Sequence, residues 1–96
     1  VKATIKKILD KHTPVWWFMP ATGGYGKSGV PDFVACVKGK FLAIEAKATI
    51  KSPITALQKD AIVHIGDAEG YATVLYAENV DIVLPKTLAH MGATLK

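Results

Sequence analysis

Val1 to His12 carries Ile5, Ile8 and Leu9 on one stripe and Lys2, Lys6, Lys7 and Lys11 largely off it. That spacing predicts an amphipathic helix with a basic outer side, ended by Thr13-Pro14. The run Val15-Trp16-Trp17-Phe18-Met19 then predicts a short strand stopped by Pro20, followed by a glycine-rich loop from Ala21 to Val30. Because side chains alternate along a strand, Trp16 and Trp17 face opposite ways. One is expected in the core, the other capping a helix or joining a partner chain.

Asp32 to Val37 and Phe41 to Lys47 are two β-rich runs around Lys38-Gly39-Lys40, the pattern of a tight antiparallel hairpin. Ser52-Pro53 is a cap and first-turn pair, and Ile54, Leu57, Ala61 and Ile65 repeat behind it at helical spacing up to Gly66. Tyr71 to Tyr76 predicts a strand and Glu78 to Leu84 a short helix, with Pro85 marking a break before a weakly helical tail. The order α-β-β-β-α-β-α, with no repeat and no linker, predicts an α/β fold in which helices flank a mixed central sheet. Residues 1-96 are the size of a single domain.

The hairpin also brings acids together. Glu45 and Lys47 alternate onto one face, about 7 Å apart at Cα. If the turn uses only Lys38 and Gly39, paired positions have numbers summing to 77 and Asp32 falls opposite Glu45, with Cβ atoms about 5 Å apart. A bulged loop would move that register by one residue. Two carboxylates so close on apolar strands repel each other at neutral pH, and a divalent cation relieves the conflict. Oxygen ligands with room for water favour Mg²⁺ or Mn²⁺ over zinc. Such an ion acidifies a bound water and neutralises charge on a phosphate, with Lys47 placed to assist.

Composition narrows the partner. The net charge of +4 leans toward an anionic partner such as DNA, and all twelve basic residues are lysines. Without arginine, contact is expected with backbone and shape more than with bases. The lone Cys36 excludes an intrachain disulfide or cysteine-cluster zinc site and is expected to be a buried residue in a reducing cytoplasm. No stretch approaches the roughly 20 apolar residues of a membrane span, and no signal peptide is seen in Val1 to Asp10. The expectation is a soluble protein of the cytoplasm, in a bacterial or virus-infected bacterial cell.

Pro31-Asp32, thirteen residues ahead of Glu45-Ala46-Lys47 across a hairpin, resembles the PD-(D/E)XK nuclease core, a restriction-endonuclease-like arrangement. Gly29-Val30-Pro31-Asp32, Ile44-Glu45-Ala46-Lys47 and Thr55-Ala56-Leu57-Gln58 together look like the stand-alone VRR-NUC family. This resemblance implies a metal-dependent endonuclease in which Asp32, Glu45 and the Ala46 carbonyl hold the ion, Lys47 assists, and Gln58 is set near the lysine. It implies a structure-selective enzyme, acting as a homodimer on branched DNA such as four-way (Holliday) junctions. The family usually has one more acid on its first helix. Here Asp10 substitutes, or that residue lies before Val1, or a second metal site is weakened.

Other features carry less. Ala21 to Ser28 fits a relaxed P-loop pattern, but a strand follows where that motif needs a helix. Lys27 and Ser28 are instead expected to touch DNA phosphate, as are Lys51 and Ser52 at the mouth of the second helix. His12, His64 and His90 lack ligand spacing and are read as structural or surface residues. A non-catalytic DNA-binding module on the same scaffold is the alternative.

Overall fold

The computed structural model describes residues 1–21 and 29–96. Helix α1 (Lys2–Asp10) leads through a two-residue strand, β1 (His12–Thr13), into β2 (Val15–Phe18). The hairpin β3 (Phe33–Val37) and β4 (Lys40–Ala46) follows, then α2 (Ala56–Asp67), β5 (Tyr71–Leu75), α3 (Val80–His90) and the short β6 (Thr94–Leu95). The main sheet has the order β2-β3-β4-β5, antiparallel except for β5, which runs parallel to β4. A parallel neighbour requires a crossover, and α2 supplies it. The mixed sheet with flanking helices is therefore as the residue pattern predicts.

The hairpin settles the register. Lys38 and Gly39 both have positive φ, 50° and 83°, as in a two-residue type I′ turn. Val37 pairs with Lys40 and Phe33 with Ile44, so the numbers sum to 77 throughout.

Alternation then sorts the faces. Phe33, Ala35 and Val37 of β3 and Leu42 and Ile44 of β4 are buried in one cluster with Ile5 and Leu9 of α1 and Leu84 and Leu88 of α3. The opposite face carries Ala43 and Glu45, against which Gln58, Ala61, Ile62 and Ile65 of α2 line a small cleft. Among the described residues nothing beyond α2 covers that face: Trp16 is 67% exposed, Phe18 and Phe41 are 44% exposed, and Cys36 is exposed among them. The expectation of a buried Cys36 is thus overturned, because its strand neighbours Ala35 and Val37 take the core side. Trp17 does turn inward, its ring 5.8 Å from that of Phe33.

Three boundaries differ from expectation. α2 begins at Ala56, not behind Ser52-Pro53, because Thr55 caps it through a full capping box with Gln58. Ser52 instead closes a turn with Thr49, their backbone bond being 3.0 Å. Pro85 does not break the chain but lies inside α3. Its missing N–H deprives only the carbonyl of the exposed Asp81, which water can serve. His12 leaves the first helix to pair with Leu95 in a second, two-stranded sheet, so the tail is partly strand. Among the described residues no helix is long and apolar enough to cross a membrane.

Candidate active site

The ladder between β3 and β4 ends at Phe33 and Ile44, and the next position places Asp32 beside Glu45. Asp32 Oδ2 accepts the Ala46 backbone N–H at 2.8 Å. That bond follows from the ladder. Lys47 N–H donates to Leu75 O of β5 at 2.8 Å, so odd-numbered residues of β4 turn their amides to β5 and even-numbered ones to β3. On that register Ala46 faces Pro31, which has no N–H to offer. The Ala46 carbonyl is thereby left without a ladder donor, next to the Asp32 carboxylate.

Glu45 is buried. Its carboxyl is pushed up to about 7 from 4.5, first by burial, then by hydrogen bonding with and charge on Asp32, with Lys47 and Lys2 pulling the other way. Gln58 Nε2 donates to Glu45 Oε1 at 2.9 Å, while Lys47 Nζ donates to Gln58 Oε1 at 2.8 Å. One amide thus bridges the acid and the ammonium, and only one orientation of it satisfies both. The same Oε1 accepts the Thr55 N–H at 3.0 Å, so the cap of α2 holds the bridge in place. Lys47 Nζ lies 3.7 Å from Glu45 Oε1, both side chains largely shielded.

Lys2 completes the surroundings. Its Nζ is 3.7 Å from Asp32 Oδ1 and more than half exposed, which brings the first turn of α1 to the acids. This contact had no local signal, since thirty positions separate the partners. The Thr55 cap was missed too, although Thr-x-x-Gln is a legible capping pattern.

The structure brings Asp32, Glu45, Ala46, Lys47 and Gln58 together. It does not bring Asp10, which lies eight residues further along α1 from Lys2, about 12 Å along the axis. Asp10 Oδ1 instead accepts from Trp17 Nε1 at 2.8 Å. Lys51 is exposed, and Ser52 is not at a helix N-terminus as expected, since α2 begins at Ala56 behind its cap Thr55. Lys27, Ser28 and the P-loop-like segment lie outside the described residues. Among the described residues no three of His, Cys, Asp and Glu gather around a possible ion. A cation here would rest on two carboxylates and a carbonyl, an all-oxygen set suited to a hard divalent ion.

Residues 4–70 match the family model described as archaeal Holliday junction resolvase (Hjc). The chain belongs to that family. These resolvases are nucleases of the PD-(D/E)XK type acting on DNA, and the single α/β domain agrees with a restriction-endonuclease-like fold. The resolvase match takes in Asp32, Glu45, Lys47 and the whole of α2, and ends before β5. No curated protein and no solved structure matches the chain.

Proposed function

We propose that this resolvase-family protein is a Mg²⁺- or Mn²⁺-dependent endonuclease that cuts branched DNA, four-way junctions above all, as a symmetric homodimer in the cytoplasm. The observation that carries the reading is the bonded chain from Asp32 beside Glu45, through Gln58, to Lys47. Asp32, Glu45 and the Ala46 carbonyl are the groups that would hold the cation, which when bound supplies an acidified water and positive charge for the phosphate. In hydrolysis the water oxygen bonds to phosphorus as the ester P–O bond opens, a proton of that water passes to bulk solvent, and the departing sugar oxygen takes up a proton from solvent to become a hydroxyl. Lys47, aimed by Gln58, offers its ammonium to the water or to a non-bridging oxygen as negative charge grows there. The buried floor of Ala43 and the wall of α2 limit water on the inner side of Glu45.

The finer resemblance to stand-alone VRR-NUC domains is supported by the meeting of its three segments at this point, Gly29 lying against Leu57 and Gln58 against Glu45. The dimer is supported by the uncovered apolar half of the sheet. It presents Trp16, Phe18 and Phe41, side chains that DNA backbone does not recognise and a second copy can cover. Two sites in a symmetric pair suit a substrate with two strands to cut.

A cleavage panel of junction, flap and linear duplex with Mn²⁺ tests the reading. The wild type is expected to nick the junction fastest, with Asp32→Ala and Lys47→Ala at least 10²-fold slower. Wild type that binds every substrate and cuts none, with Lys47→Ala indistinguishable from it, would replace the enzyme with the non-catalytic module. That alternative draws on the absence of a third acid among the described residues.

A further inference from the structure

Four of the twelve lysines lie between Lys2 and Lys11, on or just after α1, and the centre described above uses only one of them. Lys6, Lys7 and Lys11 are exposed, and among the described residues none of them makes an ion pair. Asp10 has the spacing to pair with Lys6, but its Oδ1 is taken by Trp17. The dipole of α1 accounts for only part of this charge: Lys7 in the last turn and Lys11 at the C-cap suit its negative end, whereas Lys2 and Lys6 gain nothing there. The first turn of α1 holds no acid, and a lysine at the positive end of a helix opposes the helix dipole. Four exposed cations on one helix, of which only Lys2 is paired among the described residues, present their charge to something outside the molecule.

Position says what. Lys2 Nζ lies 3.7 Å from Asp32 Oδ1, so the row starts at the candidate centre. At 1.5 Å and roughly 100° per residue, Lys6 and Lys7 follow about one turn on and Lys11 about 13 Å on, the four spreading over the outward half of the helix. Duplex DNA carries a negative charge every ~1.7 Å of its axis, so this length of helix faces several phosphates. The opposite face of α1 is sealed by Ile5 and Leu9 in the core, which fixes the lysine side outward. We infer that the lysine face of α1 is a track for the phosphate backbone of the duplex arm leading away from the cut. The identity of the polyanion rests on the nuclease reading above; the track itself goes beyond it, and beyond the loop and helix-mouth contacts expected from sequence.

The test is binding of a labelled four-way junction by the full chain in EDTA, from 50 to 200 mM salt. Wild type is compared with the triple variant Lys6→Ala, Lys7→Ala, Lys11→Ala and with a double variant Lys59→Ala, Lys86→Ala that removes charge from α2 and α3. Alanine is the best helix former, so α1 should survive, and thermal melts check it. At about 0.9 per phosphate contact, the slope of log K on log salt should shrink by 2 to 3 in the triple variant and stay near wild type in the double. An unchanged slope in a folded triple variant overturns the track, as does an equal loss in the double variant. The two readings fail separately. Wild type that cuts junctions while its slope ignores these lysines removes the track alone. Wild type that shows the α1-dependent slope but never cuts with Mn²⁺ removes the nuclease and leaves a track on a binding module.

Discussion

Among the described residues Glu45 holds the sharpest electrostatic conflict, and its consequences can be read without DNA. Folding raises its pKa from 4.5 to about 7, chiefly by burial and by Asp32. The folded protein therefore binds this proton more tightly than the unfolded chain does. The stability so gained is complete below about pH 4.5 and is lost as pH rises through 7. Metal-free protein should melt at lower temperature at pH 8 than at pH 5.5, and Glu45→Gln, which keeps the shape and removes the charge, should flatten that dependence while abolishing cleavage. If the Gln variant loses melting temperature with pH as steeply as wild type, the conflict lies elsewhere.

Among the elements, α2 is the one whose stability and chemistry are joined. None of its residues is fully buried, so packing alone fixes it weakly, and its first turn relies on Thr55 and Gln58. Thr55→Ala should cost about 1 kcal/mol, a fall in Tm of roughly 4–8 °C for a domain of this size. Ser52→Ala should cost little by thermal melt; the reverse ranking would restore Ser52 as the cap. Strands and their faces were legible because a two-residue turn, once assumed, dictates every pairing in the hairpin, and the meeting of Asp32 and Glu45 follows from it. Helix starts were less legible, since Ser52-Pro53 and Thr55-x-x-Gln58 both carry start signals and it is the completed capping box, with the Gln58 bonds to Glu45 and Lys47, that selects the second. Pro85 misled because a proline is read as a stop, yet solvent at Asp81 lets the helix continue. Cys36 and Lys2 depend on which half of a face is covered and on a contact thirty positions away, neither of which residue spacing contains.

For the whole molecule, the two sides of the sheet do different work. One side is sealed by α1 and α3, while the other is half covered by α2 and half bare, with Trp16 and Phe18 5.6 Å apart at their ring centres. Trp16→Glu should leave the fold intact, since that side chain supports no core contact, and shift sedimentation toward monomer at micromolar concentration. Wild type that sediments only as monomer would remove the dimer. The turn at Lys38 and Gly39 has a reach that its exposed position hides. Both acids hang from opposite limbs of one hairpin, and their meeting depends on the parity of the loop that joins them. Residue types at the tip are held to those that tolerate a left-handed backbone, since Lys38 and Gly39 both have positive φ. Adding or removing a single residue would send Asp32 to the sealed side of the sheet and disarm the centre from about 17 Å away.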